Sequence, residues 1–302
     1  MKIVVIGADG QLGSDLLPVL GKYSLVPLYY PEFDVTRHKK MGEILKAIRP
    51  DVVINTAAFH RVDECEDDPE QSFLVNAVAV RELSFICRDT DAVLVHFSTD
   101  YVFDGEKRTP YVEDDVPNPL NVYAASKLAG EYFVKNIMKK YFLIRTCGLY
   151  GKAGCKEKGT NFVDKIYKMA SESREIRVVD DQYVTPTSTS ELAGVIAELI
   201  ETNKYGLYHL TNEGECSWYE FAGSILEIRG LRTSINPVKT KEYPVKARRP
   251  FYSVLENKNA KSVGLKGFSF WKDALKKYLG QKYGPPGLPS KEKKVSGKTF
   301  SR

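Results

Sequence analysis

The chain has 302 residues, 43% of them hydrophobic and 27% charged, a balance that suits a globular protein of one large or two modest domains and excludes a fibre or a disordered chain. Its net charge is +5, but Lys and Arg alternate with acids through most of the sequence, and no basic stripe is interleaved with aromatics, so neither nucleic acid nor a membrane surface is indicated as a partner. Cys65, Cys87, Cys147, Cys155 and Cys216 are scattered without a CxxC; they read as reduced thiols of a cytoplasmic protein and offer no zinc site, and the start on KIVVIG leaves no room for a signal peptide.

Lys2 to Ile6 is a continuous apolar run of the kind a strand buried on both faces requires, which points to a parallel sheet. It stops at Gly7, and GADGQLG follows, with Gly7, Gly10 and Gly13 spaced as GxxGxxG ahead of a periodic stretch (Leu12, Leu16, Leu17, Leu20) that predicts the first helix. Gly7 permits a tight turn, Gly10 lets the backbone approach a pyrophosphate, and Gly13 lets the helix pack on the strand, so dinucleotide binding is the expectation. A second strand is predicted over Ser24 to Tyr29. Tyr29 and Tyr30 stand at its end in place of the acid that would hold an adenosine ribose, which leaves NADH and NADPH both open. Asp34 lies where a loop reaches the adenine, and Arg37, His38 and Lys39 either meet a 2′-phosphate or face solvent.

A helix over Lys40 to Ile48 ends before Pro50, and Val52 to Ile54 is a third strand. In NTAAFHRVDECE the small Ala57 and Ala58 let the chain run beneath a cofactor, while Glu64, Glu66, Asp67 and Asp68 lead into a helix from Pro69 to about Arg88 as N-terminal acids. A fourth strand, Ala92 to Ser98, delivers Thr99 to the carboxyl end of the sheet, where doubly wound folds present ligands; a strand-end or turn role is the competing reading. A turn-rich loop with Pro110, Pro117 and Pro119 leads to a helix in NVYAASKLAGE, and Tyr141 to Thr146 is a fifth strand.

Gly148 to Gly159, with Lys152, Lys156 and Lys158, reads as a mobile loop facing substrate. Helices are expected over Asn161 to Glu172 and Ser190 to Glu201, strands over Ile176 to Val179 and Tyr208 to Leu210, and a helix capped by Ser217 with Trp218 packing beneath it. His209 reads as a core residue rather than a base. Arg248 and Arg249 form a fork suited to a diphosphate and equally to carboxylates. The fold class is therefore α/β: a doubly wound parallel sheet of Rossmann type (1–150 plus about 175–212, binding a dinucleotide), a smaller discontinuous substrate-binding domain (about 151–174 and 213–280), and a flexible Pro/Gly/Ser/Lys-rich tail over 281–302.

Within NVYAASKLAGE, Tyr123 and Lys127 sit four residues apart and emerge on one helix face. A phenol near its ordinary pKa of about 10 needs a positive charge to act as a proton donor near neutrality, a three-unit shift being worth roughly 4 kcal/mol. Lys127 is placed to supply it, although an i,i+4 Tyr/Lys pair standing alone is far more often just a solvated helix face.

Taken together, GADGQLG, NTAAFHRVDECE, STDYVFDG, YAASKLAGE, DDQYVTPTSTSELA, GLYHLTNEGECSWYEFA and ARRPFYS resemble the dTDP-4-dehydrorhamnose reductases, within the extended short-chain dehydrogenase/reductases. The resemblance implies NADPH or NADH as cofactor, a nucleotide-diphosphate sugar as partner, room for a homodimer, and hydride transfer to a 4-keto sugar that completes dTDP-L-rhamnose. It implies that Tyr123 protonates the sugar oxygen, that Lys127 binds the nicotinamide ribose and lowers the Tyr123 pKa, and that Thr99 polarises the carbonyl. Gly10, Gln11 and Leu12 would meet the pyrophosphate, Asp34 and Val35 the adenine, Ala58, Phe59 and His60 the cofactor, and Asp100 and Arg249 the substrate. Some members bind magnesium; Asp15 and Glu191 lie near the corresponding stretches without forming a motif, so no metal site is assigned. Gly148 in RTCGLYG stands where the family has a Trp against the sugar nucleotide, His60 where it tends to have Thr and Tyr252 where it tends to have Asn. Another nucleotide-sugar reductase or epimerase is therefore the first alternative. The second is a non-catalytic cofactor-binding subunit, through a more distant likeness to the regulatory β subunit of methionine adenosyltransferase.

Overall fold

The computed structural model describes residues 1–153, 159–173 and 175–285; Lys156 and Lys158 of the glycine-rich loop, and the tail from 286, lie outside the described residues. In chain order the elements are β1 (Lys2–Ile6), α1 (Gln11–Val19), β2 (Ser24–Leu28), α2 (His38–Ile48), β3 (Val52–Asn55), α3 (Val62–Asp67), α4 (Pro69–Phe73) and, after a π-helical turn over Leu74–Val78, α5 (Ala79–Asp89). Then follow β4 (Val93–Thr99), α6 (Val122–Ile137), β5 (Tyr141–Thr146), β6 (Leu149–Tyr150), α7 (Phe162–Glu172), β7 (Glu175–Val179), β8 (Tyr183–Val184) and β9 (Thr187–Ser188). The chain closes with α8 (Thr189–Leu199), β10 (Gly206–His209), β11 (Cys216–Ser217), α9 (Trp218–Arg229), β12 (Ser234–Val238), α10 (Lys258–Ser262) and α11 (Trp271–Tyr283).

Six strands form one parallel sheet in the order β10-β5-β4-β3-β1-β2. The apolar runs that predicted buried strands are explained by the two layers that cover them. Ile3 and Val5 of β1 face Leu12, Leu16, Leu192 and Ile196 of α1 and α8 on one side, while Val4 and Ile6 face Met41, Leu45, Val80, Leu83 and Val134 of α2, α5 and α6 on the other. The chain leaves β1 toward β2 and returns across it to β3, so the sheet reverses at β1/β3 and opens a crevice beyond the carboxyl ends of its strands.

A second core, built from Val163, Ile166, Ile176, Val178, Phe221, Ile225, Trp271, Leu275 and Leu279, joins α7, β7, α9 and α11. Among the elements with no counterpart in the sequence-based expectations are α3, β12, which pairs in parallel with β7, and α11. The division expected at residues 175–212 and 213–280 is redrawn by this packing. Ile176 and Val178 belong to the second core, because β7 needs β12 as its only ladder partner among the described residues, whereas Ala260 and Phe268 return to the first. The boundary expected at 281 falls inside α11, which runs to Tyr283. No helix among the described residues is long and apolar enough to cross a membrane.

Candidate active site

The glycine turn is built as its spacing implied. Gly7 adopts φ +72°, and a Cβ on Gly13 would lie 2.3 Å from the Gly7 carbonyl oxygen, so neither position accepts a side chain. Gly10 starts α1 with no side-chain cap, and the first turn carries no acid, which leaves amide donors and the positive end of the helix facing the crevice. These features fit a pyrophosphate. The Leu12 side chain is in the core, and Gln11 Oε1 accepts from Gly151 N and Asn161 Nδ2, both at 3.1 Å; what both residues offer a ligand is therefore backbone. Asp34 Oδ1 accepts from Thr36 N (2.9 Å) and Thr36 Oγ1 (2.7 Å), which sets the turn expected to meet the adenine, and Val35 is buried.

The stretch after β3 is held by a residue that sequence reasoning passed over. The π-helical turn aims buried Asn76 inward, where its amide accepts from Phe59 N (3.0 Å) and donates to Phe59 O (2.8 Å), pinning the backbone that carries Ala58, Phe59 and His60. His60 Nδ1 sits 3.2 Å from the Ala58 carbonyl oxygen. A π-bulge at such a place is a usual mark of a functional site.

Thr99 ends β4 at the carboxyl edge of the sheet. Its hydroxyl accepts from Tyr101 N (3.2 Å) and donates to Asp100 Oδ1 (3.0 Å). Across it, Asn121 caps α6 by accepting from Ala124 N (2.8 Å), and Glu66 of α3 accepts from Val122 N (2.8 Å). So seated, α6 brings the half-buried Tyr123 within hydrogen-bond reach of Thr99 and turns Lys127, 2% exposed, to the same face. Thr146, opposite Thr99 in the β4–β5 ladder, has a buried hydroxyl with no partner among the described residues.

Burial dominates the electrostatics of the pair. Burial pushes the Tyr123 phenol well above its usual value; the Thr99 hydrogen bond opposes this, and the charges of Asp100, Cys65 and Cys147 add to it. The Lys127 ammonium is itself pushed down to about 8 by burial, with Glu131 opposing. Both members of the pair thus carry the cost of the same burial.

Asp100 is a buried acid at the same strand end. The residue is 3% exposed, and its carboxylate takes hydrogen bonds from Ser253 Oγ (2.6 Å), Cys147 Sγ (3.0 Å) and Thr99. Arg249 Nη2 lies 2.9 Å from Asp63 Oδ2, which realises the carboxylate alternative for the fork. Asp63 also accepts from Ala247 N, so α3 anchors the whole KARRPF segment beside the start of α6. Gly148 has φ +55°, and a Cβ there would lie 3.2 Å from Pro186 Cα and 3.5 Å from Trp218 Cη2; the edge of the Trp218 indole thus occupies the neighbourhood that Gly148 leaves open.

Asp15 accepts from Thr189 Oγ1 (2.5 Å) and Glu191 from Asn212 Nδ2 (2.7 Å) and Ser269 Oγ (2.7 Å). No cluster of three or more metal-ligating side chains occurs among the described residues. His209 is buried and neutral, pushed down to about 3 by burial and by Arg145, as a core role requires.

Residues 1–283 match the family described as RmlD substrate binding domain. The spore coat polysaccharide biosynthesis protein SpsK of Bacillus subtilis is 37% identical over 93% of this chain and 98% of its own length. A dTDP-4-dehydrorhamnose reductase of Burkholderia thailandensis is 37% identical over 86% and 92%. Among solved structures, a dTDP-4-dehydrorhamnose reductase of Bacillus anthracis in complex with NADP superposes with a TM-score of 0.89 at 36% identity, covering 93% of this chain and 99% of that one.

Proposed function

The chain belongs to the dTDP-4-dehydrorhamnose reductase family, and we propose from that premise how its own residues perform the family's reaction. It is an NAD(P)-dependent oxidoreductase that reduces the 4-keto group of dTDP-4-dehydro-L-rhamnose to dTDP-L-rhamnose. The observation that carries the assignment of residues is the convergence of Thr99, Tyr123 and buried Lys127 beyond the glycine turn, at the carboxyl ends of β4 and β5.

Reduced nicotinamide, when bound, supplies the hydride, two electrons and one hydrogen, to C4 of the sugar. The carbonyl π pair moves onto oxygen, and Tyr123 gives that oxygen its phenolic proton, which leaves a phenolate to be reprotonated from water. Burial keeps the phenol protonated until a stronger base, the forming alkoxide, is presented to it. Lys127 holds the nicotinamide ribose, and the Gly7–Gly13 turn receives the pyrophosphate; Ala58, Phe59 and His60 flank the cofactor, and Arg249 stands near the sugar nucleotide. The enzyme acts in the cytoplasm on a nucleotide-diphosphate sugar, as a homodimer.

Gly148 favours one second reading, a different 4-keto nucleotide sugar accepted on the same scaffold. Following NADPH and NADH absorbance with enzymatically generated dTDP-4-dehydro sugars separates the readings: oxidation with dTDP-4-dehydro-L-rhamnose supports the first, oxidation only with another sugar the second. Cofactor binding without oxidation in any mixture would sink both and leave a binding subunit. Tyr123→Phe is expected to lower kcat by about 10²–10⁴-fold with cofactor affinity nearly unchanged; near-wild-type turnover would refute the proton donor.

A further inference from the structure

We propose, on the reading of the Gly7–Gly13 turn as the seat of the pyrophosphate, that Gln11 is a positioning residue: its side chain fastens the second core to that turn, so that the wall this core presents to the nucleotide sugar is set from the cofactor side.

Gln11 is the first residue of α1, and its carboxamide oxygen is taken up by the other core. Oε1 accepts from Gly151 N and from Asn161 Nδ2, both at 3.1 Å. The polarity of this contact is fixed from the far side. Asn161 Oδ1 caps α7 by accepting from Asp164 N (2.9 Å), which leaves the Asn161 nitrogen to face Gln11, and a nitrogen that only donates requires the oxygen of the Gln11 amide opposite it. Asn161 is 6% exposed. Its Nδ2 also lies 3.1 Å from the Gly151 carbonyl oxygen and 3.2 Å from the Tyr278 hydroxyl, which brings α11 into the same contact. Gly151 is held there by shape as well, since a Cβ on it would lie 2.1 Å from Thr189 Oγ1.

What Gln11 holds reaches the crevice through packed rings. Phe162 follows Asn161 as the first residue of α7, and its ring centroid lies 4.6 Å from that of Trp218. Trp218 is seated at the start of α9 by the Ser217/Glu220 capping box, and its Cη2 would lie 3.5 Å from a Cβ on Gly148. The residue before Gly148 is Cys147, whose Sγ is 3.0 Å from Asp100 Oδ2, next to Thr99. In a close-packed interior a displacement of Asn161 therefore carries Phe162 and the indole with it. A pyrophosphate on the amides that open α1 fixes the first turn and so Gln11, and the affinities for cofactor and for nucleotide become linked in both directions.

The test uses the full chain and two variants that break the contact from opposite sides. Gln11→Met removes the acceptor and keeps the backbone of the turn; Asn161→Ser keeps a cap for α7 and removes the donor. Each is expected to raise KM for dTDP-4-dehydro-L-rhamnose about three- to tenfold, the size of a lost hydrogen bond, with kcat and the NADPH dissociation constant little changed. The double variant should be no worse than either single one, because both remove the same contact. Tyr283→Phe, which takes a hydrogen bond from Asp164 within the same core, leaves KM at the wild-type value. Isothermal titration reads the link without turnover: NADP⁺ is expected to tighten dTDP binding about three- to tenfold in the wild type and not at all in Gln11→Met. Additive effects on KM, or an equal rise in Tyr283→Phe, make Gln11 merely structural and overturn the proposal. NADP⁺ that binds without tightening dTDP overturns it as well, while a wild type that binds no NADP⁺ overturns the reading of the glycine turn on which it rests.

Discussion

Helix α6 carries Tyr123, Lys127, Glu131 and Lys135 at four-residue spacing, one stripe whose two halves have opposite fates. In the second half, Glu131 is buried completely, yet Arg145 of β5 meets both carboxylate oxygens, Nε at 2.9 Å and Nη2 at 2.7 Å. Burial pushes the Glu131 carboxyl up, but the hydrogen bonds and charge of Arg145 outweigh it and hold the pKa below the usual range. In the first half, Lys127 is as deeply buried, and Glu131 is the only group opposing its desolvation among the described residues. A buried charge matched within the chain fastens helix to strand. One left unmatched is a strained group that a ligand completes.

The comparison breaks most visibly at Glu131. Glu131→Ala leaves the Arg145 guanidinium buried without its partner and is expected to cost about 3–5 kcal/mol of stability in urea unfolding, while Glu131→Ala combined with Arg145→Met recovers most of that loss. A single variant that unfolds at the wild-type midpoint would mean that the pair contributes nothing. At Lys127 the sign reverses. A pKa of about 8 against 10.5 means that holding the ammonium charged at neutral pH costs the fold on the order of 3 kcal/mol. Lys127→Met should therefore raise the melting temperature while removing activity. The folded-state pKa is the lower one, so between about 8 and 10.5 the unfolded chain binds more protons and wild-type stability rises with pH; the Met variant lacks that rise. A Met variant no more stable than wild type would show that Lys127 is matched after all.

Both halves of the stripe were visible as helix in the sequence, and what separates them was not. The glycine turn, the buried strands and the Tyr123/Lys127 spacing follow from local chemistry: φ at Gly7, apolar runs covered on two faces, side chains one turn apart. Asp100 meets Cys147 and Ser253 across 47 and 153 positions, and Asp63 meets Arg249 across 186. Such contacts are set by how the lobes close, which no local pattern encodes. Helix α3, VDECED, has no apolar stripe to announce it; its acids are spent on Val122 N, Arg249 and Lys246 rather than on the helix that follows. Helix α11 does have a stripe, Trp271, Leu275, Tyr278 and Leu279, but Lys272, Lys276, Lys277 and Lys282 between them and the Pro/Gly run beyond blurred its end.

The smallest effect asks whether the first half of the stripe depends on how α6 begins. Asn121 accepts from Ala124 N and donates Nδ2 to the Arg248 carbonyl oxygen at 2.8 Å, so one side chain both caps the helix and ties it to the segment bearing Arg249 and Ser253. Asp68 performs only the first task for α4, accepting from Gln71 N at 3.0 Å. Either residue changed to Ala loses a cap worth about 1 kcal/mol, and thermal unfolding should register the two alike. The rates should not be alike, because Tyr123 is the second residue of α6 and Arg248 lies five positions from the Ser253 that holds Asp100. Asn121→Ala is expected to lower kcat several-fold at little change in KM, and Asp68→Ala to leave it near wild type. Equal rates in the two variants would mean that Tyr123 is aimed by Thr99 alone, and that the cap serves only the helix.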